Sequence, residues 1–469
     1  MRTSFISRGL FILIFVFWAC NTEKTPSYDL ILSDARVVDL ESGQVKIQDV
    51  LITRGIIQKL LPPGETAKIQ ATERLSVEGA YLLPGFWDNH VHFRGGTDLV
   101  DQNRKFLGLF LAHGITTVRD AGGDLTPAIK EWQKEIASGK PGPTIYTSGP
   151  KIDGPNPTWA GSLEVNSPED IKLALDSLQT LGIDFVKLYD SRISGELYLE
   201  TLRQTDILGL ISSGHMPFSV TLEETVSAGI DAIEHLYYVM KGCADEELQV
   251  TQGIRNGTMG FWQAMPRLQQ SYTDSTAQKT FDRLKANNVY VVPTLHIGRT
   301  LSYLDEADHS TDPYLDYLSQ EFIKTYQGRI NRALNASEQA RKDRKALDDF
   351  FRELTAQLHQ AGVGLLAGSD CGAYNSYIYP GPSLHDELEA LVSCGLSELE
   401  ALQASAYHGP RFLKKEMDYG NIAEGKVADL VVLSENPLED IRNTRKIEMV
   451  IKNGEVFDRE SLQNLIKPN

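Results

Sequence analysis

Residues 167–215 read SPEDIKLALDSLQTLGIDFVKLYDSRISGELYLETLRQTDILGLISSGH. Two amphipathic stretches, 167–182 and 194–206, alternate here with two short apolar runs, FVKLYD (185–190) and GLISSGH (209–215). The runs are too short for buried helices and read as strands. Strands separated by helices must pair in parallel, because a hairpin turn cannot make that connection.

The same alternation extends both ways. Further strand candidates are ITTVRD (115–120), TIYTSG (144–149), AIEH (232–235), YVVPTL (290–295) and GLLAGSD (364–370). With the strand that leads into His90 there are eight. Eight such units predict an α/β fold, a (β/α)8 TIM-type barrel over 84–415. Two connections, about 240–285 and 296–360, exceed an ordinary loop and look helical. In a barrel they emerge on the active-site face, where they would act as lids or specificity walls.

The chain ends follow another pattern. Residues 28–83 alternate apolar and polar side chains, and so do DLVVLSENP and KIEMVIKNGEVFD near the C-terminus, with Asn453-Gly454 as a hairpin turn. Neither stretch can bury a core alone. Together, 28–83 and 416–460 predict one small β-sandwich domain that the barrel interrupts, with 461–469 as a tail.

Residues 1–20 stand apart. Arg2 and Arg8 precede an uncharged run, GLFILIFVFWA, which has the length of a signal-peptide core and not of a membrane span. It ends at Ala19-Cys20, and this junction resembles a bacterial lipoprotein signal, followed by a tether at 21–27. The expectation is an exported chain, lipid-anchored through Cys20 at the cell envelope and facing the periplasm or on the outer membrane. An ordinary secretory peptide, giving a secreted or periplasmic protein, or an uncleaved anchor are the alternatives. Cys243, Cys371 and Cys394 are far apart and form no CxxC pair, so no disulfide framework is expected.

The 469 residues carry 46 Lys+Arg against 63 Asp+Glu, a net charge of −17 that argues against a nucleic-acid partner. A small-molecule substrate is expected, and a homo-oligomer is compatible with the composition.

His90 and His92, in DNHVHFRGG, share one face of a strand. Lys187, His215, His235 and Asp370 each sit where an apolar run stops. In a barrel those positions converge at the C-terminal mouth. Imidazole and carboxylate suit zinc, with Mn, Co, Ni or Fe as alternatives. A buried Lys187 surrounded by cations should lose its proton. The neutral amine could then add CO2, giving a carbamate able to bridge two metals. Asp370 would hold a bridging hydroxide and act as general acid and base.

Several phrases resemble the amidohydrolase superfamily, in particular its prolidase- and imidazolonepropionase-like branch: LLPGFWDNHVHF, HGITTVRDAGG, GIDFVKLYD, GLISSGHMP, AGIDAIEHL, AGVGLLAGSDCG and GNIAEGKVADLVVL. The resemblance implies that His90, His92, Lys187 and Asp370 hold the more buried metal, and that Lys187, His215 and His235 hold the other. Asn89 and His408-Gly409-Pro410 depart from the family pattern. Tyr189, Arg192, His296 and His385 are candidate substrate contacts, with Asn156 a further one. The function implied is hydrolysis of an amide or peptide-like C–N bond in a dipeptide or N-acyl amino acid. Alternatives are a one-metal cyclic-amide (imidazolone-type) hydrolase and, more remotely, a non-catalytic ligand-binding surface lipoprotein.

Overall fold

A computed structural model of the chain describes residues 27–77 and 79–467. The signal segment, Cys20 and the tether up to residue 26 lie outside the described residues. Among the described residues, no helix is long and apolar enough to cross a membrane.

The barrel begins with Phe86–Val91, every residue of which is buried. This strand pairs in parallel with Ile115–Asp120, which pairs with Thr144–Thr147. The Asp184 amide donates to the Thr147 carbonyl (2.9 Å), which leads on to Val186–Leu188. Then Val186–Leu188, Ser212–Gly214, Ala232–Glu234 and Tyr290–Val292 pair in that order, all parallel.

The eighth unit is less regular than its sequence suggested. Residues 364–371 are bridged to their neighbours without forming an extended strand. On one side Leu366 donates to Val291. On the other, Asn89 donates to Ala367, Asp370 to His90 and His92 to Cys371, which returns the pairing to the first strand. The irregularity has a steric cause. A Cβ at Gly368 would stand 2.6 Å from the His90 Cβ, and Asp370 takes a left-handed backbone (φ 57°). The chain therefore crosses the barrel mouth at closer range than a regular strand allows.

Local signals place the outer helices. Pro168–Leu181 is capped by Ser167, whose side chain accepts from the Asp170 amide, and it stops at Gly182 in the left-handed region. Its buried stripe is Ile171, Ala174, Leu175 and Leu178. Gly195–Ile207 follows the same plan, with Ser194 accepting from Leu197.

All eight strands of the small domain belong to one sheet. The N-terminal strands join the C-terminal ones where Tyr81–Pro84 pairs antiparallel with Leu430–Leu433. The sheet turns back on itself: Ile57 donates to Lys426, and Ala428 to Gly55. It thereby encloses a core that includes Leu32, Val50, Ile52, Leu82, Leu430 and Ile451. The tail region opens with a helix, Arg459–Leu465, packed on Val100–Ala112 so closely that a Cβ at Gly108 would meet the Leu465 carbonyl at 2.9 Å.

The two long connections are helical. One carries Glu247–Arg255, Phe261–Gln270 and Asp274–Ala286; the other carries Leu295–Ser302, Gln327–Leu334 and Glu338–Gln360. Cys243, Cys371 and Cys394 are buried and, among the described residues, unpaired.

Candidate metal centre

The barrel mouth gathers the six side chains that the strand ends pointed to. His90 Nε2 lies 3.2 Å from His92 Nε2 and 3.6 Å from Asp370 Oδ1. His92 Nε2 lies 3.2 Å from the same oxygen, and His235 Nε2 is 3.8 Å from Asp370 Oδ2. His90, His235 and Asp370 offer donor atoms all within 4.8 Å of one another. The His215 ring stands 4.9 Å from that of His235, centroid to centroid.

Each imidazole is held by its other nitrogen. His90 Nδ1 donates to Glu234 (2.6 Å) and His92 Nδ1 to the Gly122 carbonyl (2.7 Å). His215 Nδ1 donates to Asp190 (3.1 Å) and His235 Nδ1 to Thr294 Oγ1 (2.7 Å). The Thr294 hydroxyl gives its own proton to the Pro293 carbonyl (2.7 Å), so it can only accept from His235. All four rings are thus fixed as Nδ1–H tautomers, with the Nε2 lone pairs turned inward. Outer partners of this kind orient metal-ligating histidines. Burial keeps His90, His92 and His235 neutral by pushing their pKa values down.

Two inward lone pairs 3.2 Å apart, with a carboxylate oxygen as close, repel one another unless a cation lies between them. The donor set fits a divalent ion. Lys187 is buried, 3.6 Å from Glu234 Oε1, and among the described residues its Nζ has no hydrogen-bond partner. Burial brings its pKa down to about 8; Glu234 opposes the shift and Arg119 adds to it. At pH 7 roughly a tenth of the amine is then neutral.

Beneath the candidate ligands lies a buried charge cluster that sequence reading missed. Glu234 takes Arg119 Nη2 (2.9 Å), His90 Nδ1 and the Ser213 hydroxyl. Arg119 also donates to the Asn89 carbonyl (2.5 Å) and to Ser213 (3.0 Å). A signal did exist: Arg119 and Glu234 are charges inside otherwise apolar strand runs. The departures at Asn89 and Gly409 explain each other. The Asn89 amide donates to Ala367 (3.0 Å), and a Cβ at position 409 would meet Asn89 Oδ1 at 2.4 Å.

Backbone strain collects at the same place. His235, Thr294 and Asp370 all have positive φ (66°, 51° and 57°). Each such residue costs about 1–3 kcal/mol and persists where the surroundings over-determine it.

Of the candidate substrate contacts, only Tyr189 reaches the site. Its ring lies 4.3 Å from His215, and it lines a cleft of about 300 Å³ with His235 and Asp370. The other three need correction. The Arg192 side chain is exposed, because its amide and that of Ile193 are tied to Asp153 Oδ1 in a turn. His296 faces Asp386 (3.6 Å), its amide held by Glu387. His385 is fully buried between Thr444 and the His113 carbonyl, where it ties the barrel to the segment before the last strands. Asn156 is exposed as well.

Thr294→Val is expected to lower metal affinity by about 10–100-fold, because His235 loses the acceptor that fixes its tautomer. Thr294→Ser should restore it. Titration of the metal-free protein with zinc checks both; equal affinity in all three proteins would rule out this role.

Known proteins agree with this architecture. The chain is 22% identical to ochratoxinase of Aspergillus niger over 478 aligned residues, covering 89% of this chain and 83% of that enzyme. It is 35% identical to dihydroorotase of Carboxydothermus hydrogenoformans, but over 115 residues only, 23% of this chain and 26% of the relative. Among solved structures, a bottromycin amidohydrolase superposes with a TM-score of 0.70 at 22% identity, covering 93% of this chain and 88% of that one. A Xaa-Pro dipeptidase with bound methionine in the active site gives 0.66 at 18% identity, covering 92% and 99%. Residues 81–457 match the amidohydrolase family, a span that takes in the barrel, all six residues of the centre and the strands joining the two ends of the small domain. The chain belongs to the amidohydrolase family.

Proposed function

We propose that this protein hydrolyses a carbon–nitrogen bond of amide type in a small substrate, a dipeptide or an N-acyl amino acid. Two divalent cations, zinc first among them, would be held by His90, His92, His215, His235 and Asp370, with Lys187 as a bridging carbamate. The observation that carries this reading is the orientation of the four imidazoles. Four Nδ1–H groups are bonded outward, and the Nε2 atoms of His90, His92 and His235 lie 3.6, 3.2 and 3.8 Å from the Asp370 carboxylate, an arrangement that a bound cation accounts for. The unpartnered Nζ of Lys187 supports the carbamate, since an added carboxyl group would give that buried nitrogen a new chemistry.

The bound cations would supply Lewis acidity to the scissile carbonyl and make hydroxide available near neutral pH. The protein's own residues do the rest. Asp370 Oδ1 is occupied by Asn375 (2.8 Å), while Oδ2 faces the cleft near His235. Oδ2 is therefore the atom that takes a proton from the attacking water. The water oxygen bonds to the acyl carbon, the C–N bond breaks, and Asp370 returns that proton to the departing nitrogen. Tyr189 and the helices of the two long connections wall the cleft.

A cyclic-amide hydrolase with one metal is the second reading. It is favoured by the tight grouping of His90, His235 and Asp370 alone. Metal content and activity on a dipeptide and N-acyl amino acid panel decide between the two. We expect two equivalents per chain, loss of activity with chelator, and loss of both metal and activity in Lys187→Ala. A Lys187→Ala protein with full metal and full activity overturns the carbamate. A metal-loaded protein that cleaves nothing in the panel overturns the hydrolase.

A further inference from the structure

A carboxylate outside the candidate metal centre holds one of its walls. Asp153 ends a short strand, Ile152–Asp153, that extends the third barrel unit and pairs in parallel with Val186–Leu188. Its side chain is fully buried, and among the described residues no Lys, Arg or His nitrogen lies within 4.0 Å of its oxygens. A buried carboxylate without a cation is costly unless hydrogen bonds replace its water. Here the backbone supplies most of them. Oδ1 accepts from the amides of Gly154 (2.7 Å), Arg192 (2.8 Å) and Ile193 (3.0 Å), and Oδ2 accepts from the Ser191 hydroxyl. Three of these four donors belong to consecutive residues, 191–193, which lie 38 to 40 positions further along the chain.

The two backbones meet closely. A Cβ at position 154 would stand 2.2 Å from the Arg192 carbonyl carbon and oxygen, so glycine is what permits the approach. At the near end of the same loop, the Tyr189 amide donates to the Ile152 carbonyl (2.9 Å). Residues 189–193 are thus tied at both ends to Ile152–Asp153, and Asp190 lies between the ties.

Asp190 is where this loop meets the candidate ligands. Its Oδ1 accepts from His215 Nδ1 (3.1 Å), and its Oδ2 accepts from the Tyr238 hydroxyl (2.8 Å). The neighbouring Tyr189 packs its ring 4.3 Å from that of His215. His215 therefore takes its tautomer and its ring contact from two consecutive residues of a loop that Asp153 fixes. The other three imidazoles are held elsewhere: His90 by Glu234, His92 by the Gly122 carbonyl and His235 by Thr294.

We infer that Asp153 is a positioning residue of the metal centre, acting through residues 189–193 on His215 and so setting the affinity of the cation that His215 holds. This inference rests on the two-cation reading above. Its signature is a split: one cation is held less tightly while the other keeps its affinity. A general loss of stability does not produce that.

Zinc titration of the metal-free full chain, with bicarbonate present and a chromophoric chelator in competition, reads the split without any substrate. The wild type should take up two equivalents. Asp153→Ala should bind one of them as the wild type does and the other about tenfold more weakly, the scale for loss of an outer support of a metal ligand. Asp153→Asn is the rescue. Its side-chain oxygen can still accept from the amides of residues 192 and 193, so both equivalents should bind with wild-type affinity. Asp231→Asn is the control for lost backbone support, since Asp231 holds the Ser212 amide (2.7 Å) where the strands Ser212–Gly214 and Ala232–Glu234 begin, away from the mouth. Its thermal midpoint should fall with both equivalents unaffected. Should Asp153→Ala not fold, Gly154→Ala displaces the same loop sterically with the carboxylate in place, and the same split is expected of it. Two equivalents bound with unchanged affinity in the folded variant overturn the inference and leave the two-cation reading standing. So does equal weakening of both, which marks Asp153 as a general support of the fold. A wild type that takes up one equivalent or none overturns the two-cation reading itself, and this inference with it.

Discussion

Asp370→Asn is expected to remain folded and to lose about 10³–10⁴-fold in kcat on any amide the wild type cleaves, the range for removing a positioned general acid–base. The fold should survive because the asparagine oxygen can still accept from Asn375, which holds Oδ1 at 2.8 Å in the wild type. The left-handed backbone at this position (φ 57°) also tolerates asparagine better than most residues. What disappears is the negative charge facing His90, His92 and His235, and with it the proton acceptor proposed above. Metal affinity should fall as well, so the comparison belongs at matched occupancy, with zinc quantified on the same samples. A kcat within tenfold of wild type at equal zinc would remove Asp370 from the proton-transfer role.

The second large effect concerns the charges beneath the ligands. Arg119→Met should destabilise the metal-free protein by about 3–5 kcal/mol, the cost of leaving one member of a buried ion pair alone. Arg119 and Glu234 are both fully buried and 2.9 Å apart. Burial alone would raise the Glu234 carboxyl; Arg119, Lys187 and His90 hold it well below its ordinary value. Without Arg119 the carboxyl has Lys187 at 3.6 Å and neutral His90 as its remaining strong partners, and it should take up a proton. His90 then loses a full charge on its acceptor, so metal binding weakens along with stability. Adding Glu234→Gln should recover part of the loss, which makes the double-mutant cycle the informative measurement. Denaturant unfolding of the four proteins reads it; a loss below about 1 kcal/mol in Arg119→Met would show that the pair is not the support described.

The parts of this molecule that could be read from sequence share one property: their position along the chain determines where they point. His90 and His92 lie two apart on a strand, and Lys187, His215, His235 and Asp370 mark places where apolar runs end. Parallel strands of a barrel expose such ends together, so spacing alone brought them to one mouth. Arg119 and Glu234 were equally legible, as charges within apolar runs, but their partners lie 115 residues apart and no local pattern links them. Loops gave no such guide. Arg192 follows Lys187 closely, yet the turn built on Asp153 sends its side chain to solvent. His296 and His385 follow barrel units seven and eight, but Glu387 and Thr444 commit them to packing between elements. Arg329 reaches the cleft from a helix deep in a long connection, where only the tertiary path decides direction. The irregular eighth unit follows from a steric demand at Gly368, which periodicity does not encode.

The sheet shared by both chain ends also sets an order of events during synthesis. Pro84 pairs with Leu430, a separation of 430 − 84 = 346 residues. At ribosomal rates of roughly 5–20 residues per second, the edge at Tyr81–Pro84 waits on the order of 20–70 s for its partner. During that interval a nascent chain exposes Leu82 and Leu83, both fully buried at the end, along an unpaired strand edge open to other chains. Release of a truncated product lacking 430–458 would make that exposure permanent, so premature termination late in the message should yield aggregate even though every barrel residue has been translated.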